Sequence, residues 1–181
     1  PDSLGLSARL MIWTRMLPDD IAQCRNLGAD LADLSIPVSD QQIAGKLKRD
    51  HDWVLNQIRR QVAVALDMGL EVCVGGEDSS RADPDFLKLA AATAQAAGAR
   101  RFRFADTVGL LDPFEVYARI RDLRAAVDIE IEMHAHDDLG LATANSLAAV
   151  RAGATHLNTT VHGLGECAGN AALEEVVMGL K

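Results

Sequence analysis

With 181 residues, 49% of them hydrophobic and 24% charged, the chain carries enough apolar material for one globular unit with a real core. A formal net charge of −8, with basic residues scattered and densest at Arg100, Arg101 and Arg103, argues against nucleic acid and anionic membrane as partners. Cys24, Cys73 and Cys167 are odd in number and lack Cys-x-x-Cys spacing, which excludes a disulfide framework or a zinc knuckle. No apolar run approaches the roughly 20 residues of a membrane span, and no signal peptide is expected. A cytoplasmic setting follows as the expectation. The first residue is Pro1 rather than Met, which suggests a truncated product.

The predicted elements follow from a recurring punctuation. A helical stretch ends in Gly beside a small or apolar residue, and an apolar strand follows: Leu27-Gly28-Ala29, Met68-Gly69-Leu70, Ala97-Gly98-Ala99 and Ala152-Gly153-Ala154. Gly just past a helix is its left-handed C-terminal cap. Helix starts carry Pro at or near the first position, at Pro18, Pro84 and Pro113, each with Asp beside it. In chain order the spacing predicts strand 9–15, helix 18–27 and strand 30–36. A partly broken helical region over 40–68 comes next, its second half marked by Trp53, Val54, Ile58, Val62 and Leu66. Then come strand 71–74, helix 84–97, strand 101–105, helix 113–127, strand 129–135, a helix from about 141 to 151, strand 156–161 and a last helix from about 169.

Strand–helix alternation with no linker reads as parallel βα units in one domain, residues 1–181. The strand faces choose between architectures. Arg101, Arg103 and Thr107 share one face of their strand, and Glu130, Glu132, His134 and His136 share one face of the next. A doubly wound sheet, covered by helices on both sides, should be apolar on both. A barrel interior accommodates compensating charges beneath a site, with Arg103 and Glu132 the expected pair on adjacent strands. The fold expected is α/β, an incomplete (β/α)8 TIM barrel, since six units do not close eight strands.

Chemistry collects at the strand ends. Along residues 129–136 the apolar residues Ile129, Ile131, Met133 and Ala135 alternate with Glu130, Glu132, His134 and His136. Residues i and i+2 of a strand lie roughly 6.5–7 Å apart, so both imidazoles can converge on one metal ion; the alternative is a polar strand with two solvated histidines. Glu77 is in phase with Cys73 and Gly75 and faces inward, as an acid/base group or substrate anchor; the plainer role is a turn cap. Thr107, in phase with Arg103, offers a hydroxyl to a substrate carboxylate or carbonyl, while Asp106 is expected to bind its own loop. Ser35 ends its strand as a further substrate-binding candidate. In the glycine-rich turn 163–170, which lacks Walker and dinucleotide patterns, Asn170 is either an oxygen donor to the metal or a cap of the last helix. His162 is a candidate to face the site; His51 and His156 are expected at the surface or in structural roles. Two imidazoles with oxygen donors suit Mg²⁺, Mn²⁺, Zn²⁺ or Co²⁺.

Four motifs, in order and each at a strand end, resemble the α-isopropylmalate/homocitrate synthase family of metal-dependent barrels. They are Gly76-Glu-Asp-x-x-Arg-Ala-Asp83, Phe104-Ala-Asp-Thr-Val-Gly109, His134-Ala-His-Asp-Asp-x-Gly-x-Ala-x-Ala-Asn145 and Thr159-Thr-Val-x-Gly-Leu-Gly-Glu-x-Ala-Gly-Asn170. With the homocitrate synthase branch of nitrogen fixation the chain shares Leu34-Ser-x-Pro-Val-Ser-Asp40 and Ala99-Arg-Arg-x-Arg-Phe-Ala-Asp-Thr-Val-Gly109. The resemblance implies condensation of acetyl-CoA with 2-oxoglutarate to homocitrate, for the nitrogenase cofactor, in an enzyme expected to be a homodimer at full length. It implies His134 and His136 as ligands of a divalent metal, Asn170 as a more distant contact, Glu77 as part of the acid/base machinery, and Thr107 as the group that holds the substrate carboxylate.

Three departures stand out. The family's Asp-Arg-Glu strand, source of a third metal ligand and a catalytic arginine, has no counterpart, so the chain is expected to cover roughly strands 3–8, without the first two βα units and the C-terminal region. The further histidine of that C-terminal region is absent. Cys167 stands where these synthases usually carry Arg, and a cysteine in such a loop is similar to 3-hydroxy-3-methylglutaryl-CoA lyase. The alternatives are therefore an isopropylmalate or citramalate synthase, the lyase, or a non-catalytic truncated fragment.

Overall fold

The computed structural model describes residues 7–181; residues 1–6, the start of the expected 1–181 unit, lie outside the described residues. Its framework is a run of strands β1 (Met11–Arg15), β2 (Leu31–Pro37), β3 (Glu71–Glu77), β4 (Arg101–Asp106), β5 (Glu130–Ala135) and β6 (His156–Asn158). They lie side by side in sequence order, each parallel to the next. The connections are α1 (Pro18–Asn26), the short α2 (Asp40–Gln42) running into a π-helical turn at Ile43–Leu47, α3 (His51–Asp67), α4 (Pro84–Ala96), α5 (Pro113–Ala126) and α6 (Ala142–Ala152), with α7 (Leu173–Gly179) closing the chain.

The sequence signals for these boundaries are physical caps. Asp83 accepts from the amides of Asp85 and Phe86 ahead of α4, and Asp112 forms a reciprocal capping box with Glu115 ahead of α5. Gly28, Gly69, Gly98 and Gly153, just past four of the helices, all adopt positive φ.

Alternation sorts each strand. The outward face, under the helices, carries Ala32, Leu34, Val72, Val74, Phe102, Phe104, Ile131 and Met133, all buried in one apolar cluster. Each fully buried Phe, Leu or Ile contributes roughly 1.5–3 kcal/mol, so this layer between sheet and helices is where the stability resides. The inward face carries charge instead. Ser35, Gly75, Arg103, Glu132 and His156 are successive partners across β2–β6, with Asp33, Cys73, Arg101 and Glu130 one layer below. A parallel arc with helices outside and a polar inside is part of a TIM barrel, six strands of the eight that close one.

The sequence and the structure part at several boundaries. β1 starts at Met11, and β3 runs on to Glu77 rather than stopping at 74. β6 stops at Asn158 because the chain turns at Val161–Gly163, where His162 takes φ 57°. The last helix starts at Leu173, not near 169: Asn170 bridges to His136 and Ala172 to Thr160, so this stretch is used as an extended edge. No helix among the described residues is long and apolar enough to cross a membrane.

Candidate active site

At the C-terminal mouth of the arc a cavity of about 300 Å³ is lined by Trp13, Glu77, Arg103, Ala105, Thr107, His134, His136 and Glu166. A larger hollow of about 420 Å³ at the α2–α3 junction shares none of these residues. Glu77, Thr107, His134 and His136 thus meet in one place although up to 59 positions separate them in sequence.

His134 points inward from β5, and His136 follows just past the strand; their rings are 4.8 Å apart and nearly perpendicular. The Nδ1 atoms of both are buried without a hydrogen-bond partner, and so is Oδ1 of Asn170. The Asn170 amide is held by its Nδ2, which donates to the Leu164 carbonyl at 3.1 Å. It does not cap the last helix, whose N-cap is Ala172 with no side-chain bond. Burial first, then the positive charge of Arg103 and the neighbouring imidazole, push His134 down to about 3, so its ring is a neutral donor. Three buried polar atoms without a partner, two imidazole nitrogens and an amide oxygen, are of the type that suits a divalent cation of intermediate hardness. Among the described residues no three His, Cys, Asp or Glu side chains are grouped closely enough to hold a metal ion by themselves. Asp137 is occupied at the start of α6, where its Oδ1 accepts from the Ala142 amide. His162 does not face the cavity: its side chain is 79% exposed and sits 2.6 Å from Glu174.

Glu77 and Asp78 diverge as adjacent residues on an extended chain must. Asp78 takes φ 60° and turns its fully buried carboxylate to Arg81, at 2.8 Å on both contacts, and to the Ser39 hydroxyl. Glu77 borders the cavity, with Oε1 accepting from the Ser35 hydroxyl at 2.8 Å and Oε2 lying 3.4 Å from Lys46 Nζ. Ser35 is therefore engaged with Glu77 rather than with the cavity that holds the imidazoles. The Thr107 oxygen accepts from the Asp78 amide at 2.8 Å, which leaves its O–H free to donate. Asp106 accepts from the amides of Leu110 and Leu111, binding its own loop.

The expected Arg103–Glu132 pair does not form. Arg103 lies 2.6 Å from Asp33 and Arg101 lies 2.7 Å from Glu132. The cause is Gly75 on the intervening strand, which leaves room for the Arg103 guanidinium to cross β3. Burial outweighs Arg103 and raises Asp33 to about 6. Trp13, Lys46, Glu166 and Asp33 were missed as site neighbours. Strand parity signals Trp13 and Asp33, which are partners in register and face inward. Glu166 sits in an irregular loop that carries no period.

The HMGL-like family matches residues 3–181. The chain is 51% identical to 2-isopropylmalate synthase 2 of Caldanaerobacter subterraneus over 178 residues, covering 98% of this chain and 46% of that protein. It is also 51% identical to homocitrate synthase 1 of a Nostoc species over 179 residues, covering 99% of this chain and 48% of that protein. The chain thus spans about half the length of the curated relatives it matches. Among solved structures, the HMG-CoA lyase of Brucella melitensis superposes with a TM-score of 0.84 at 18% identity, over 96% of this chain and 65% of that one. At that identity the likeness speaks for the fold. A match over nearly every residue, on a parallel arc with its polar groups gathered at the C-terminal mouth, settles the kinship: the chain belongs to the HMGL-like family.

Proposed function

We propose that this chain is the catalytic-barrel portion of an acyl-transferring synthase that joins acetyl-CoA to a 2-oxo acid, with 2-oxoglutarate as the acid and homocitrate and CoA as products, serving nitrogenase cofactor synthesis. The carrying observation is the convergence of Glu77, Thr107, His134 and His136 on one cavity, with Asn170, whose side-chain oxygen is buried without a partner, bridged to His136 through the backbone. The full-length enzyme is read as a cytoplasmic homodimer, with residues 1–181 as one part of its (β/α)8 barrel. Homocitrate synthase and 2-isopropylmalate synthase relatives support the reaction class.

His134, His136 and Asn170 would hold a divalent ion, Mg²⁺, Mn²⁺, Zn²⁺ or Co²⁺. Bound there, the ion supplies Lewis acidity toward a ketone oxygen. Thr107, its oxygen pinned by the Asp78 amide, donates to the carboxylate of the 2-oxo acid and orients it. Glu77 is the base that draws a proton from the acetyl methyl group. Ser35 and Lys46 fix the direction of its carboxylate. Water then cleaves the thioester, which makes the condensation irreversible.

The test is thiol release by the full-length enzyme from acetyl-CoA with 2-oxoglutarate and with 2-oxoisovalerate. Preference for 2-oxoglutarate is expected. Preference for 2-oxoisovalerate installs the isopropylmalate reading, which the equal identity to a 2-isopropylmalate synthase favours as the runner-up. Cleavage of a hydroxyacyl-CoA with no condensation installs the lyase reading. The 181-residue chain alone is expected to give no turnover above background.

A further inference from the structure

The two interior arginines of β4 are not equivalent. Arg101 is saturated: its Nε and Nη2 donate to Glu130 at 3.1 and 3.0 Å, and its Nη1 to Glu132 at 2.7 Å. Arg103, one layer nearer the mouth, meets a single carboxylate, Asp33, through Nη1. Its Nε is buried without a partner, and the side chain borders the cavity with Glu77, Thr107 and the two imidazoles. The space it occupies is made by Gly75. A Cβ there would lie 2.8 Å from Arg103 Nη2 and 2.8 Å from Asp33 Oδ1. β3 thus gives up a side chain so that a guanidinium from β4 can sit beneath the site.

Register sets the distance. Ala105 is the partner of His134, and Arg103 precedes Ala105 by two residues, so its layer lies roughly 6.5–7 Å below the imidazole along the strands. A ligand held at the upper layer by its 2-oxo acid end reaches the lower layer only with a side chain a few atoms long, and only an anionic end satisfies the guanidinium. A guanidinium matches a carboxylate in a two-pronged way, and an apolar side chain there leaves the buried donors unpaired.

We propose that Arg103, lodged in the slot left by Gly75, anchors the distal carboxylate of a dicarboxylic 2-oxo acid and thereby selects a diacid over a branched apolar 2-oxo acid. This rests on the reading of the cavity as a 2-oxo acid condensation site. The experiment compares kcat and KM for 2-oxoglutarate and 2-oxoisovalerate in the full-length wild-type enzyme and in Arg103→Gln, Arg103→Lys and Gly75→Ala, with calorimetric binding of 2-oxoglutarate alongside. Arg103→Gln should lower the ratio of kcat/KM for the diacid over the branched acid by about 10- to 100-fold, mainly through KM, as loss of a hydrogen bond to a charged group does. Arg103→Lys should fall between. Gly75→Ala keeps the charge and displaces the guanidinium, so it should lower the same ratio even where Arg103→Gln fails to fold. Equal losses for both acids, or an unchanged ratio in folded variants, overturn the assignment while leaving the condensation reading in place. A wild-type enzyme that condenses neither acid overturns both.

Discussion

Three buried polar atoms without a partner, on His134, His136 and Asn170, would each cost on the order of 1–3 kcal/mol if nothing met them. The divalent ion proposed above would offset that cost. Its removal by mutation should therefore act on binding and activity together: in the full-length enzyme His134→Ala or His136→Ala should lose metal affinity by more than about 100-fold, beyond what loss of an outer contact costs, and turnover with it. Thr107→Ala should instead raise KM for the 2-oxo acid by about 10- to 100-fold and leave metal affinity in place, because in the proposed site its hydroxyl, pinned by the Asp78 amide, donates to substrate and not to the ion. Calorimetry with Mn²⁺ beside steady-state kinetics separates the two; loss of metal by Thr107→Ala would sink the assignment. Asp33 gives a second residue-scale expectation. Its folded value of about 6 lies above the ordinary 3.8, so the stability it contributes is present below pH 3.8 and lost as pH rises through 6. Relative to Asp33→Asn, the protein should lose up to about 3 kcal/mol between pH 4 and 7 in denaturant titrations. A flat difference would mean that Arg103 keeps Asp33 ionised throughout. The inward direction of Glu77, Thr107 and His134 was legible from parity alone. The partner of Arg103 was not, because it depends on a missing side chain, Gly75, on a neighbouring strand.

Among the elements, the helices and strands were legible where local chemistry decides them: Pro and Asp at helix starts, Gly at helix ends, alternation in β4 and β5. They were not legible where tertiary contact decides. The stretch 159–172 reads as strand and then helix, yet it folds as a turn and an extended return, with Asn170 against His136 and Ala172 against Thr160. That return is what sets the Asn170 backbone against His136. Gly165 makes room for it: a Cβ there would meet the Asn170 amide nitrogen and lie 2.8 Å from its Cγ. Gly165→Ala should therefore weaken Mn²⁺ binding to about the extent that Asn170→Ala does. The two changes combined should cost no more than either alone, because both act through one side chain. Additive losses would show that Gly165 matters to the loop for another reason.

At the scale of the whole molecule, the six-stranded arc leaves β1 and β6 each with one unpaired edge among the described residues, and it opens the polar interior beside Trp13, which is 53% exposed. The donors proposed for a cation are two imidazoles and an amide, with no carboxylate among them; the positive Arg103 is nearby, and Glu166 is the one other carboxylate besides Glu77 on the cavity wall. Glu77 is already engaged by Ser35 and Lys46. Affinity of such a site rises with each anionic ligand added and falls when the ligands must be ordered on binding. The 181-residue chain should accordingly bind Mn²⁺ only at micromolar levels or weaker, and the full-length enzyme more tightly. Titration calorimetry of the chain at neutral pH reads this directly. Sub-micromolar binding would mean that a carboxylate completes the site from within the chain. Glu166→Gln would then be the first change to make, since Asp137 is committed to the start of α6 and His162 to Glu174.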